Sequence, residues 1–196
     1  MEEFIYWLVP YENELLRIVW VDDTFFPPDN PPQDITVKRN RNNIPNIGKV
    51  WLDNFLDDYQ DDDPDDLPDA LPNQAKWLLL KKNMCQEKNI GFGVTSFKYG
   101  EEHIDELNTD KTLFLIDAQN INVLSSLNSE LYGYQFVKNN QLPRERVMYY
   151  TRNSDKLDIK GIRKQKFPDI KDQDFIIPSS DNTKSLESWV DSFLKG

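Results

Sequence analysis

The sequence predicts an α/β fold, a three-layer sandwich in which a five-stranded parallel sheet is covered by helices on both faces. Three observations lead there. Short runs of β-branched and aromatic residues recur as "RIVWV" (17–21), "IGFGVTSF" (90–97), "TLFLI" (112–116), "RVMYY" (146–150) and the weaker "DFII" (174–177). "RIVWV" and "TLFLI" are apolar almost throughout rather than alternating, the pattern of strands buried on both faces. Segments of helical periodicity separate the runs, and strands that alternate with helices imply right-handed crossovers.

In chain order, Tyr6, Trp7 and Leu8 form an apolar stretch that suits either an added edge strand or a docking surface. After the first strand, residues 25–71 break the rhythm. They hold seven of the twelve prolines, and "DDYQDDDPDDLPD" is too charged and too proline-broken to be core. This stretch is expected as a long acidic insertion on the rim of a single domain spanning 1–196. Within it, "KVWLDNFLDDY" (49–59) suits a short helix that packs Val50, Trp51 and Phe55 back onto the domain.

"PNQAKWLLLKKNMCQEKN" (72–89) opens with Pro72 and Asn73 as start signals and sets Trp77, Leu80, Met84 and Lys88 along one stripe. "GEEHIDELN" (100–108) brings Ile104 and Leu107 together, and "SELYGYQFVKNN" (129–140) groups Leu131, Tyr134 and Val137. The last helix is the clearest, with Leu186, Trp189, Val190, Phe193 and Leu194 at the i, i+3, i+4, i+7, i+8 spacing before Gly196.

A net charge of −11 argues against capture of nucleic-acid phosphates, which needs clustered Lys and Arg. The one short basic stretch, "KRNRNN" (38–43), is better suited to pairing with the acidic insertion. A single cysteine, Cys85, excludes an internal disulfide and fits a buried thiol in a reducing compartment. The opening "MEEFIYWLVPYENE" has an acidic start and is interrupted by Pro10, so it matches neither a signal peptide nor a membrane span. A cytoplasmic protein without membrane or nucleic-acid partners is expected. His103 reads as a surface histidine with no second histidine to build a zinc site. The acidic run Asp57–Asp69 lacks the twelve-residue calcium-loop pattern.

Ligands of open α/β sheets gather at the carboxyl ends of the strands. Three strands deliver an oxygen-bearing side chain there: Asp22 and Asp23 after "RIVWV", Asp117 after "TLFLI" and Thr151 after "RVMYY". Three carboxylates packed together require a hard divalent cation, and Mg²⁺ takes a few carboxylates, a carbonyl and water. Such an ion shields an incoming phosphoryl group from the negative charge around it.

With these residues in place, the chain resembles the receiver domain of two-component response regulators. The likeness rests on a strand ending "VDD", one ending "FLID", one ending "MYYT", the stretch "GFGVTSFKYGEEHIDEL" as second strand and helix, "YGYQFVKNN" with Gly133 as a glycine-led third helix, and a last amphipathic helix. It covers residues 15–24 and 72–195. It implies a CheY-like, flavodoxin-like doubly wound fold with strand order 2-1-3-4-5. Asp117 is then the phosphoacceptor, Asp22 and Asp23 hold Mg²⁺ with Asp117 and the backbone carbonyl of Gln119, and the Thr151 hydroxyl senses the phosphoryl group. The implied partner is a protein, a histidine kinase among the candidates. Because the chain ends on its last helix, a stand-alone domain without an output domain is expected.

The chain departs from the family in the fifth strand, where "DFIIPSS" puts either Ile177 or Pro178 at the place of the family's lysine. That lysine is a positive clamp on the phosphoryl group. Lys184 lies beyond the turn, Arg152 either crowds the pocket or reaches into it, and Phe175 stands near the family's switch aromatic. A phosphorylation-independent pseudo-receiver adaptor is therefore the rival reading, with residues 25–71 as its contact. A haloacid dehalogenase-type phosphatase is disfavoured, because that chemistry places its second acid two residues beyond the nucleophile and "VDDT" has adjacent acids.

Overall fold

The structure, a computed structural model, describes residues 5–11, 15–26, 38–39, 45–69, 71–118, 131–150, 161, 164–170, 175–176 and 183–195. Its strands are β1 (Tyr6–Val9), β2 (Arg17–Val21), β3 (Lys38–Arg39), β4 (Pro45–Asn46), β5 (Gly91–Thr95), β6 (Thr112–Asp117), β7 (Val147–Tyr150) and β8 (Phe175–Ile176). Its α-helices are α1 (Lys49–Tyr59), α2 (Asn73–Glu87), α3 (Phe97–Glu102), α4 (Ile104–Leu107), α5 (Tyr132–Asn139) and α6 (Thr183–Leu194). Among the described residues, no helix is long and apolar enough to cross a membrane.

The chain is α/β, but the expected all-parallel five-stranded sheet needs correction. The main sheet has six strands in the order β1-β5-β2-β6-β7-β8 and is mixed, because β1 runs antiparallel to β5. Counting β1, β2, β5, β6 and β7 in chain order gives 1-3-2-4-5 rather than 2-1-3-4-5. The cause lies in the first ten residues, where "YWLV" covers the free edge of β5. Gly93 leaves the room for this: a Cβ there would stand 2.5 Å from Ile5 Cγ2 and 2.9 Å from Trp7 Cε3. The five anticipated runs are neighbours in the order β5-β2-β6-β7-β8, parallel at every step.

β2 lies between β5 and β6, and all five of its residues are buried, as its unbroken apolar run requires. Its side chains alternate between two cores. Ile18 and Trp20 join Phe92, Leu113, Leu115 and Tyr150 under α1, α2 and α6. Val19 and Val21 join Phe114, Ile116 and Tyr149 against residues of α3, α4 and α5, giving three layers.

The helices also refine the sequence reading. In α2 the buried residues are Ala75, Leu78, Leu79, Lys81, Lys82, Met84 and Cys85, so the stripe is rotated from the expected one and Trp77 and Leu80 are half-buried. Lys88 instead pairs with Asp191 of α6 at 2.7 Å on the surface. In α1, Trp51, Leu52 and Phe55 are buried whereas Val50 is exposed, and Leu194 of α6 is likewise exposed. The strand expected through 97 stops at Thr95 because Ser96 caps α3, its Oγ accepting from the Tyr99 amide. The helix expected over 100–108 is two short ones meeting at His103.

The insertion also contributes to the core. Ile47 pairs with Phe25 as an isolated parallel bridge just beyond β2, and both side chains are fully buried.

Candidate functional site

β2 and β6 are in parallel register with Val21 beside Ile116, so the chain leaves both strands at the same edge of the sheet. Asp22 follows β2 and Asp117 closes β6, which places them side by side at the carboxyl ends. One carboxylate oxygen from each of Asp22, Asp23 and Asp117 lies within 4.8 Å of the other two. Among the described residues this is the one cluster of three or more acidic, histidine or cysteine side chains placed to share an ion.

Asp22 and Asp23 are buried, at 2% and 7% exposure, while Asp117 is half-buried. The turn after β2 holds the pair in place. The Asp22 amide donates to the Thr95 carbonyl at 3.1 Å, and its Oδ1 accepts from the Thr24 amide at 2.9 Å and the Thr24 hydroxyl at 2.7 Å. On the β6 side, the Ala118 amide donates to the Tyr150 carbonyl and the Gly133 amide to the Ala118 carbonyl, at 3.1 and 3.0 Å. Gly133 is required here: a Cβ would overlap the Asp117 carbonyl oxygen and stand 2.9 Å from the Ala118 Cα. The glycine lets the first turn of α5 lean on the end of β6.

Carboxylates this close repel by on the order of 3 kcal/mol per pair at an effective dielectric near 20. A bound cation, a nearby ammonium or a shared proton offsets such repulsion. Hard divalent cations such as Mg²⁺ take oxygen donors of this kind, and Asp22, Asp23 and Asp117 are the residues that could hold one.

A second feature of the site went unread in the sequence. Lys81, on α2, is 3% exposed and its ammonium has no hydrogen-bond partner among the described residues. It lies over the rings of Trp20, Trp77 and Tyr150, with centroids at 4.2, 4.9 and 5.0 Å. Burial pulls it down to about 7, against the opposing pull of the Asp22 charge and of Cys85. Desolvation is the largest of the influences on the ammonium, so its charged form is disfavoured there despite the rings around it and the Asp22 charge. The missed signal was its spacing: Leu78, Lys81, Lys82 and Cys85 fall at i, i+3, i+4 and i+7 on the face that is buried. Cys85, beside it, is buried as expected, and desolvation pushes its thiol up to about 12, which disfavours the reactive thiolate.

No family model, curated protein or solved structure matches the chain.

Of the residues the sequence singled out, Asp22, Asp23 and Asp117 are brought together. Thr151, Gln119, Arg152, Ile177 and Pro178 lie outside the described residues. Phe175 falls in β8 and Lys184 in α6. His103 is not among the clustered groups; it stands 3.4 Å from Glu106 on a partly exposed face. Lys38 and Arg39 of the basic stretch pair with Asn46 and Pro45 in a two-stranded ribbon.

Proposed function

We propose that the chain is a receiver-like signalling domain that binds a partner protein in the cytoplasm, with Asp117 as an Mg²⁺-dependent phosphoacceptor. The observation that carries this reading is the meeting of the Asp22, Asp23 and Asp117 carboxylates at the carboxyl ends of adjacent parallel strands. Asp22, Asp23 and Asp117 would hold the ion, with the Gln119 carbonyl as the further ligand that the resemblance implies. When bound, Mg²⁺ neutralises charge on the phosphoryl oxygens.

The division of labour follows from exposure. The two buried acids stay with the ion, and the more open Asp117 meets the donor. Its carboxylate oxygen bonds to phosphorus as the P–N bond of a phosphohistidine or the P–O bond of acetyl phosphate breaks. The donor's imidazole or carboxylate leaves with the bond's electron pair, and an aspartyl phosphate remains. The Thr151 hydroxyl is assigned to sense that group by the resemblance alone.

A second reading, the phosphorylation-independent adaptor, is favoured by Lys81. An internal ammonium beside Asp22 partly compensates the acids without any ion, and the fifth strand ends without the family's lysine. One titration separates the two readings, with intrinsic tryptophan emission as the readout because Trp20 is two residues from Asp22. Mg²⁺ followed by beryllofluoride should give a saturable change that Asp117→Asn abolishes. Acetyl phosphate should add one phosphoryl mass to the wild type and none to the variant. Binding of Mg²⁺ with no response to beryllofluoride and no mass shift would leave the adaptor.

A further inference from the structure

Away from the acids, a cleft of about 450 Å³ opens between α5, the start of β7 and residues 166–170. Its apolar wall is built by Tyr134, Val137, Leu142, Val147, Tyr149 and Phe167. The aromatic rings hold one another: Tyr134 packs on Tyr149 at 4.9 Å and on Phe167 at 5.5 Å. The rim is cationic. Among the described residues that line it, Lys138, Arg144 and Lys166 stand on the rim, all exposed, against one carboxylate, Asp169. Lys138 also lies over the Phe167 ring at 5.9 Å, so charge and apolar wall adjoin.

This concentration of positive charge is at odds with the rest of a chain whose net charge is −11. The volume falls within the roughly 300–1,000 Å³ usual for small-molecule pockets, which are mostly apolar with a few polar groups fixing orientation. We propose that this cleft binds a small organic anion, a carboxylate, sulfonate or phosphate carried on an aromatic or branched apolar body. The body lies against Tyr134, Val137 and Phe167, and the anionic head faces the Lys138, Arg144 and Lys166 rim. An acid head set among three cations is favoured over a neutral one, and the preference weakens as salt screens the exposed rim. The inference is independent of the phosphoacceptor reading, since none of the acidic triad lines the cleft.

The full chain titrated with anilinonaphthalene sulfonate, followed by fluorescence, tests this. The expected result is one saturable site with blue-shifted emission and an affinity that falls as salt rises. Lys138→Glu/Lys166→Glu, whose side chains are exposed, should retain the wild-type circular dichroism and urea midpoint but bind the probe at least about tenfold more weakly. The neutral analogue phenylnaphthylamine should bind the wild type less tightly and ignore the charge reversal. Val137→Trp, which fills the cleft from α5, should abolish both; if it does not fold, the double lysine variant decides alone. Absence of a saturable site in the wild type overturns the proposal. So does wild-type affinity for the anionic probe in Lys138→Glu/Lys166→Glu, which would mean that the dye recognises apolar surface only.

Discussion

The Lys81 ammonium rests 4.2 Å from the centre of the Trp20 indole, enclosed on α2 without a hydrogen-bond partner among the described residues and under the influence of Asp22. Replacing it with methionine, similar in length and apolar, removes the desolvation penalty and keeps the packing. Lys81→Met is expected to raise unfolding free energy near neutral pH by about 1–3 kcal/mol, as apolar replacements of buried charges do. Urea denaturation measures it. A loss of stability would mean that the attraction to Asp22 exceeds the cost of burial.

The same residue sets a pH dependence. Its folded-state pKa is about 7 against an ordinary 10.5, so between those values the unfolded chain binds a proton that the folded chain does not. Stability then rises with pH across that window and is flat in this respect below pH 7, where both states are protonated. Lys82, which burial also pulls down, is present in both proteins and cancels in the comparison. Measured from pH 6 to 10, the advantage of Lys81→Met should shrink by on the order of a few kcal/mol. A constant difference would show that the ammonium is not desolvated.

Gly133 bears directly on Asp117, because any Cβ would overlap the Asp117 carbonyl. Gly133→Ala must push the first turn of α5 off the end of β6, and overpacking of this kind costs about 1–3 kcal/mol. The displaced Asp117 should also weaken Mg²⁺ binding relative to the wild type in a calorimetric titration. Normal stability together with normal Mg²⁺ affinity would contradict the close approach.

Arg17 ties together the opposite end of the sheet. Its Nε donates to the Thr112 hydroxyl at 2.8 Å, one terminal nitrogen to the Glu106 carbonyl at 3.0 Å and the other to the Tyr11 hydroxyl, while the guanidinium lies 4.7 Å from the Tyr11 ring centre. It is only 7% exposed. Arg17→Met keeps the stem and deletes every hydrogen bond, with an expected loss of about 2–4 kcal/mol. A lower urea midpoint with unchanged denaturant slope is the signature. Lysine, with a single ammonium, should rescue only part of it.

The sequence by itself determined the strands of the parallel core, because unbroken apolar runs such as "RIVWV" and "TLFLI" are stable only when both faces are covered. It also determined that Asp22, Asp23 and Asp117 would follow strand ends, since each acid immediately follows its run or closes it. What it could not determine was the edge of the sheet. "YWLV" fits a strand or a surface equally well by composition, and only the room over Gly93 settles the choice. The spacing of Lys81 with Leu78 and Cys85 is in the sequence, but spacing alone does not say that this stripe of α2 is the buried one, and lysine in a helix is ordinarily solvated. Its burial depends on α2 turning Leu78, Lys81 and Cys85 inward over Trp20, a rotation fixed by packing against the sheet. Periodicity is local and survives in sequence; the face a helix buries, and the charges that meet there, are decided by contacts between residues far apart in the chain.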